Sequence, residues 1–216
     1  MPLSPAPIDR MLARIAEDVR DERVLQAMRD VPRHEFVPSG ARARAYDDVA
    51  LAIGSRQTIS QPVIVALMTA ALALEGGEHV LEVGTGSGYQ AAVLARIAAT
   101  VVTVERIDVL RERAQATLRR LDVTNVRCLP AAMPGAPGAP ADGPYDAIIV
   151  TAAAPAPPPS LLDQLRDGGR LVVPAGTREH QDLVVVTRTP RGLRSRTITA
   201  CRFVPLIGAE GFDVPA

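Results

Sequence analysis

Lysine is absent from this 216-residue sequence, so all 24 basic residues are arginine. That excludes a Schiff-base nucleophile and the lysine of a phosphate-binding loop. Tryptophan is absent too, and aromatics make up only 3% of the chain, so a core must be built from Val, Leu, Ile and Ala. The only cysteines, Cys128 and Cys201, are far apart and fit no zinc spacing. Isolated thiols of this kind read as small buried apolar residues in a reducing compartment, with a disulfide as the alternative. His34, His79 and His180 are scattered, so no metal site is expected. Formal net charge is zero and no basic run occurs, which leaves no electrostatic footprint for nucleic acid. Residues 1–7 have neither a basic start nor an apolar centre, and the apolar stretch 63–74 is too short to span a bilayer. These absences predict a cytoplasmic protein that binds neither nucleic acid nor membrane.

What is present fits one globular unit. Apolar residues form 47% of the chain, and 216 residues suffice for a single α/β domain with a substantial core. Helical spacing runs from Ile8 to Arg29 with an interruption near Asp21-Glu22. Residues 46–53 are ambiguous between strand and loop, residues 57–61 read as a polar turn, and a buried helix starts at Pro62. Strands at 79–83, 101–105, 126–129, 147–151 and 170–174 then alternate with helices at 89–97, 109–121 and 161–165. Such alternation predicts a mostly parallel twisted sheet with helices on both faces. Segments 182–188 and 197–204 have no helix between them and read as an antiparallel C-terminal hairpin. Residues 1–62 form an N-terminal helical segment on the substrate side, and residues 63–216 form a Rossmann-like core.

The densest signal is Val80-Leu81-Glu82-Val83-Gly84-Thr85-Gly86-Ser87-Gly88-Tyr89, followed by Thr103-Val104-Glu105. An apolar strand breaks into alternating glycines, and the next strand ends in an acid 21 positions after Gly84. This is the layout of a nucleotide cradle, in which glycines admit a ligand close to the backbone and the second acid meets ribose hydroxyls. A dinucleotide fingerprint would need a third glycine where Tyr89 stands. Glu82, beside the turn, would repel a pyrophosphate but suits a cationic ligand. S-adenosyl-L-methionine carries a sulfonium and an ammonium and no phosphate, so it is the cofactor expected here. Glu82 is assigned to its methionine end. Glu105 is assigned to the ribose, the alternative being an ion pair with Arg106 or an arginine of the next helix. Thr151, with Ala152 and Ala153, ends a strand and should lie along the cofactor's edge, the alternative being simple close packing.

Several segments together resemble the protein-L-isoaspartate O-methyltransferase family: Val31-Pro32-Arg33-His34-Glu35-Phe36-Val37, Gln57-Thr58-Ile59-Ser60-Gln61-Pro62, the glycine loop with its flanking Leu81-Glu82-Val83 and Gln90, 145–155, Gly168-Gly169-Arg170-Leu171 and Arg202-Phe203-Val204-Pro205-Leu206. The resemblance spans about 24–208. It implies a Rossmann-like S-adenosylmethionine-dependent methyltransferase that methylates the free α-carboxylate of L-isoaspartyl residues in damaged proteins or peptides, as a repair reaction. It also implies that Ser60 lies at the active site, hydrogen-bonding the accepting carboxylate. From the residues alone, Ser60 could equally cap the helix starting near Pro62. Thr58 is implied to contact the cofactor, together with Gly84, Thr85, Gly86, Ser87 and Gly88 of the loop; Gln61 is a weaker candidate. A carboxylate attacking a sulfonium methyl is already ionised at neutral pH, so alignment and exclusion of water are the catalytic needs and no general base is required.

One departure stands out. The family carries Gly-Asp-Gly after the third strand, its acid holding the adenine amino group; this chain has Pro130-Ala131-Ala132-Met133 and then Pro134-Gly135-Ala136-Pro137-Gly138. The loss leaves two alternatives to general repair: a carboxyl methyltransferase dedicated to one peptide or protein, and a non-catalytic cofactor-binding homologue. The balanced charge and the lack of a helix seam predict a monomer.

Overall fold

The computed structural model describes residues 6–132 and 137–213. Two short helices open it, α1 (Pro7–Ile15) and α2 (Glu22–Asp30), and the break between them has a local cause. The Asp21 side chain accepts from Arg23 N and Val24 N, capping α2 afresh. Two 3₁₀ turns, Arg33–Phe36 and Ser39–Arg44, lead to a small antiparallel hairpin of β1 (Leu51–Gly54) and β2 (Gln57–Ile59). The expected polar turn at 57–61 is therefore partly a strand. Leu51, Ile53 and Ile59 are buried while Ala52 and Thr58 between them are exposed, the alternation of a half-buried ribbon. α3 (Pro62–Leu72) follows, apolar almost all round and buried as expected.

The main sheet has seven strands in the order β5-β4-β3-β6-β7-β8-β9. β3 is His79–Val83, β4 Thr100–Glu105, β5 Val126–Pro130, β6 Tyr145–Val150, β7 Leu165–Gly176, β8 Gln181–Thr189 and β9 Gly192–Cys201. β5, β4, β3, β6 and β7 are parallel neighbours, while β8 and β9 run antiparallel at the edge. The connecting helices are α4 (Tyr89–Ala95), α5 (Asp108–Arg120) and α6 (Pro159–Asp163). Two expectations shift. The helix expected at 161–165 starts earlier, because Pro159 suits a first helical turn, and Leu165 already belongs to β7. The last strand starts at Gly192 and ends at Cys201; its exposed Arg194-Ser195-Arg196 carries no apolar pattern, and pairing with β8 through a tight turn at Pro190-Arg191 makes it a strand.

Strand parity divides the core. Leu81, Val83, Val102, Val104, Ile148, Val150 and Leu171 pack toward α6, whereas Val80, Val101, Ala147, Ile149 and Val172 pack toward Met68 and Leu72 of α3 and Leu94 of α4. The same parity turns Glu82 and Thr103 to the α3/α4 side. After β5 at one edge the chain crosses back to β6 beside β3. The connections therefore diverge above the carboxyl ends of β3 and β6, which opens a crevice there. Among the described residues no helix is long and apolar enough to cross a membrane, and no cluster of His, Cys, Asp and Glu could hold a metal ion. Cys128 and Cys201 are unpaired and half-buried, and burial pushes both thiols up to about 11.

Candidate active site

The crevice above β3, β4 and β6 is a cleft of about 1110 Å³ including its open mouth. One wall is the loop after β3. Gly84 has φ +103°, and a Cβ there would drive into Thr151 Oγ1 at the end of β6. Thr151 Oγ1 in turn donates toward Gly84 O at 2.5 Å and Val83 O at 3.1 Å. Only glycine permits both this backbone conformation and the contact between the two strand ends.

The floor is acidic and deeply buried. Glu82 is 0% exposed, and burial, with a smaller contribution from nearby Glu105, pushes its carboxyl up to about 8. Glu82 lies directly across from Thr103 in the parallel β3–β4 register. Thr103 Oγ1 donates to Glu82 Oε2 at 2.5 Å and lies 2.6 Å from Thr85 Oγ1. Glu82 Oε1 has no hydrogen-bond partner. A buried acceptor beside a cleft, left without a donor, is the feature a cationic ligand would complete.

Glu105 ends β4 and is 7% exposed. Its Oε2 accepts from Gly86 N and its Oε1 from Ile107 N, both at 2.9 Å. The carboxylate thus holds the glycine loop and the start of α5 while keeping further lone pairs for a ligand diol. It forms no ion pair among the described residues, so the expected alternative, a pair with Arg106 or an arginine of α5, is not realised.

The opposite wall comes from the hairpin and the C-terminal segment. Gln57, Thr58, Ile59 and Ser60 line it from one side, and Val204 to Gly208 with Glu210 and Gly211 from the other. The C-terminal segment is pinned by Leu206 N donating to Ala153 O at 2.7 Å and by Glu210, which accepts from Ser160 N and Oγ. Ser60 does not cap α3. Gln61 stands at the N-cap without a side-chain capping bond, its Nε2 donating to Asp48 Oδ2 instead, and Asp48 Oδ1 accepts from Val63 N at 2.9 Å. The capping alternative for Ser60 is thereby removed, and its hydroxyl enters none of the hydrogen bonds among the described residues.

A sequence model of the protein-L-isoaspartate(D-aspartate) O-methyltransferase family matches residues 10–211. The chain belongs to this family. It is 48% identical over 207 residues to protein-L-isoaspartate O-methyltransferase 1 of Syntrophobacter fumaroxidans, covering 95% of this chain and 96% of that one. A solved structure of a protein-L-isoaspartate O-methyltransferase superposes with a TM-score of 0.85 at 28% identity, covering 94% of this chain and 67% of that chain. A Plasmodium falciparum protein of like description, in complex with S-adenosyl-L-homocysteine, superposes with a TM-score of 0.76 at 23% identity, over 92% and 95% of the two chains. The architecture is that of the S-adenosylmethionine-dependent methyltransferases, as the glycine loop and its two acids led one to expect.

The structure brings together nearly all the residues expected of a family member. Ser60, Thr58, Glu82, Gly84 and Thr85 line the one cleft, as do Gly86, Ser87, Glu105 and Thr151. Gly88 does not. It caps α4 at φ +85°, and its hydrogen lies where a Cβ would come within 3.1 Å of the Ala114 Cβ on α5, so close helix packing accounts for it. Thr151 braces Gly84 through its hydroxyl and borders the cleft. Ala131, Ala132, Pro137 and Gly138 border the cleft where the family's acid would stand; Met133 to Ala136 lie outside the described residues. Gln164 supports that side, donating to Pro137 O at 3.1 Å and accepting from Ala139 N at 3.0 Å. Reasoning from sequence missed the wall made by Val204 to Gly211. Its apolar residues carry no periodicity, and only isolated bridges such as Ala153 with Pro205 place it over the cleft.

Proposed function

We propose that this chain is an S-adenosylmethionine-dependent protein carboxyl O-methyltransferase that methylates the free α-carboxylate of L-isoaspartyl residues, a step in protein repair. The observation that carries the reading is the convergence of an uncommitted Ser60 hydroxyl, an unpartnered buried Glu82 oxygen and the Glu105 carboxylate on a single cleft. When bound, S-adenosylmethionine supplies an electrophilic methyl on a sulfonium.

The chain's own residues supply position. Glu105 and the backbone of Gly84 to Ser87 would hold the ribose end, and Glu82 the cationic methionyl end. Ser60 would donate to one oxygen of the accepting carboxylate, leaving the other oxygen free to attack, and Thr58 of the hairpin would contact the cofactor. The hairpin and the Val204 to Gly211 wall exclude water from the line of attack. No side chain needs to move a proton, since the acceptor is ionised at neutral pH. Residues 1–62, which carry the hairpin, serve the substrate side, and residues 63–216 the cofactor side. The balanced charge and the absence of a basic run support a monomer that acts on polypeptides and takes no nucleic acid as partner, and the two isolated thiols support a cytoplasmic location.

The test is methyl transfer from labelled S-adenosylmethionine to a matched pair of isoaspartyl and aspartyl peptides, with Ser60→Ala alongside. Selective labelling of the isoaspartyl peptide that drops in Ser60→Ala is expected. Equal labelling of both peptides refutes the substrate assignment, and a fully active Ser60→Ala refutes the role of Ser60. Labelling confined to one unrelated peptide would favour the dedicated enzyme that the altered 130–138 loop leaves open.

A further inference from the structure

Arg33 belongs to the Val31–Val37 segment, which has no part in the chemistry described so far. It is 0% exposed, and burial holds its guanidinium below the ordinary arginine value. A buried cation without an ion pair is expensive, and Arg33 forms none among the described residues. Its bonds go to main chain instead. Nε donates to Ala45 O at 2.7 Å and Nη2 to Ser60 O at 2.7 Å, and the Tyr89 hydroxyl and the Asp48 carboxylate lie near enough to favour the charge. The Arg33 Cζ lies over the Tyr89 ring, 4.8 Å from the ring centroid. Tyr89 is itself fully buried, opens α4 directly behind the glycine loop, and borders the cleft.

These contacts join three pieces that the sequence keeps apart. Ala45 closes the second 3₁₀ turn, Ser60 ends the hairpin, and Tyr89 follows the cofactor loop. Resting on the assignment of Ser60 to the acceptor carboxylate, we propose that Arg33 is a positioning residue for methyl transfer. It acts as a strut that fixes the Ser60 turn relative to the glycine loop and so sets the distance between acceptor oxygen and methyl group. Geometry favours arginine here. One planar fork donates in two directions to two carbonyls while its cation lies over an aromatic ring, and a lysine ammonium cannot satisfy all three. The neighbours of Ser60 are tied to their own elements, Ile59 paired with Leu51 in the hairpin and Gln61 O accepting from Ile64 N and Val65 N of α3, and Arg33 holds the Ser60 carbonyl between them.

The test is a double-mutant cycle with Arg33→Lys, Arg33→Met and Ser60→Ala, reading kcat/KM on an isoaspartyl peptide and the Kd of S-adenosylhomocysteine by calorimetry. Arg33→Met packs on Tyr89 without burying an unsatisfied charge, so it guards against simple misfolding of the lysine variant. Misplacing a reacting group by about 1 Å costs roughly 100-fold, so each Arg33 variant is expected to lose about 10- to 100-fold in kcat/KM. The cofactor Kd should stay within about threefold, since no cofactor contact is removed. In the Ser60→Ala background the Arg33 change should cost almost nothing further. Multiplicative losses in the double variants, or a cofactor Kd that moves as far as kcat/KM, would overturn the strut while leaving Ser60 in place. A fully active Ser60→Ala would refute the Ser60 assignment and this inference with it.

Discussion

Replacing Glu105 by Gln tests the cofactor site at its best-defined point. The carboxylate accepts from two backbone N–H groups, Gly86 and Ile107, each at 2.9 Å. An amide has one oxygen, so the substitution turns an NH₂ toward one of these donors and leaves that buried N–H without an acceptor. The penalty for such an orphan is about 1–3 kcal/mol. For a chain of this length each kcal/mol lowers Tm by about 2–4 °C, readable by calorimetry without ligand. Cofactor affinity falls separately, because a charge-assisted bond to a ribose hydroxyl becomes a neutral one. Hydrogen bonds to charged groups contribute about 1.5–3 kcal/mol and neutral ones about 0.5–1.5, so the exchange costs about 1–1.5 kcal/mol and Kd should rise roughly 5- to 13-fold. The decisive measurement is titration of wild type and Glu105→Gln with S-adenosylhomocysteine and with its 2′,3′-dideoxy analogue. Removing the hydroxyls should weaken wild-type binding by a similar factor and weaken the variant little further. If the variant binds the parent ligand within twofold of wild type, or if the two losses multiply, Glu105 does not hold the ribose.

Three further outcomes follow from the geometry. Glu82 titrates near 8 in the folded chain against an ordinary 4.5, so the unliganded fold binds a proton more tightly than the unfolded chain. Its contribution to stability is complete below pH 4.5 and declines as pH rises toward 8, by up to about 1.4 kcal/mol per unit; Glu82→Gln should remove that slope, and an unchanged difference between the two pH–stability curves would refute it. Gly84→Ala places a methyl against Thr151 at φ +103° and should abolish cofactor binding, whereas Gly88→Ala, at φ +85° against Ala114, should lower Tm with Kd kept within about threefold; the reverse ranking in paired calorimetry would exchange their roles. Asp48→Ala should cost about 1 kcal/mol by uncapping α3, while Ser60→Ala leaves Tm nearly unchanged; a larger loss in Ser60→Ala would restore Ser60 as the cap.

The sequence was most legible where one short segment determines its own geometry. The glycine loop needs positive φ and close approach at Gly84, and the apolar run before it needs a strand. Pro62 and the apolar run after it predict α3, and the spacing of strands and helices predicts the parallel sheet. Periodicity is a property of neighbours in the chain, so residues a few positions apart suffice to reveal it.

Other features depend on partners distant in sequence. No local signal distinguishes Ser60 as a cap from Ser60 as a cleft residue; Asp48, 15 positions before the residue it caps, removes the first role. Gly88 shares the loop's glycine pattern, yet Ala114 on another helix sets its role. Arg33 reads as one arginine among 24 until the fold removes it from water and hands its donors to Ala45 and Ser60. The wall from Val204 to Gly211 and the polar edge strand β9 have no period of their own and are specified by pairing. The sequence by itself therefore determined the fold class, the cofactor and the glycine loop with its flanking strand, because strand periodicity and glycine backbone freedom act within a single segment. The tertiary structure alone decided which side chains remain free for substrate, since a hydrogen bond is assigned only when both of its partners have been brought together.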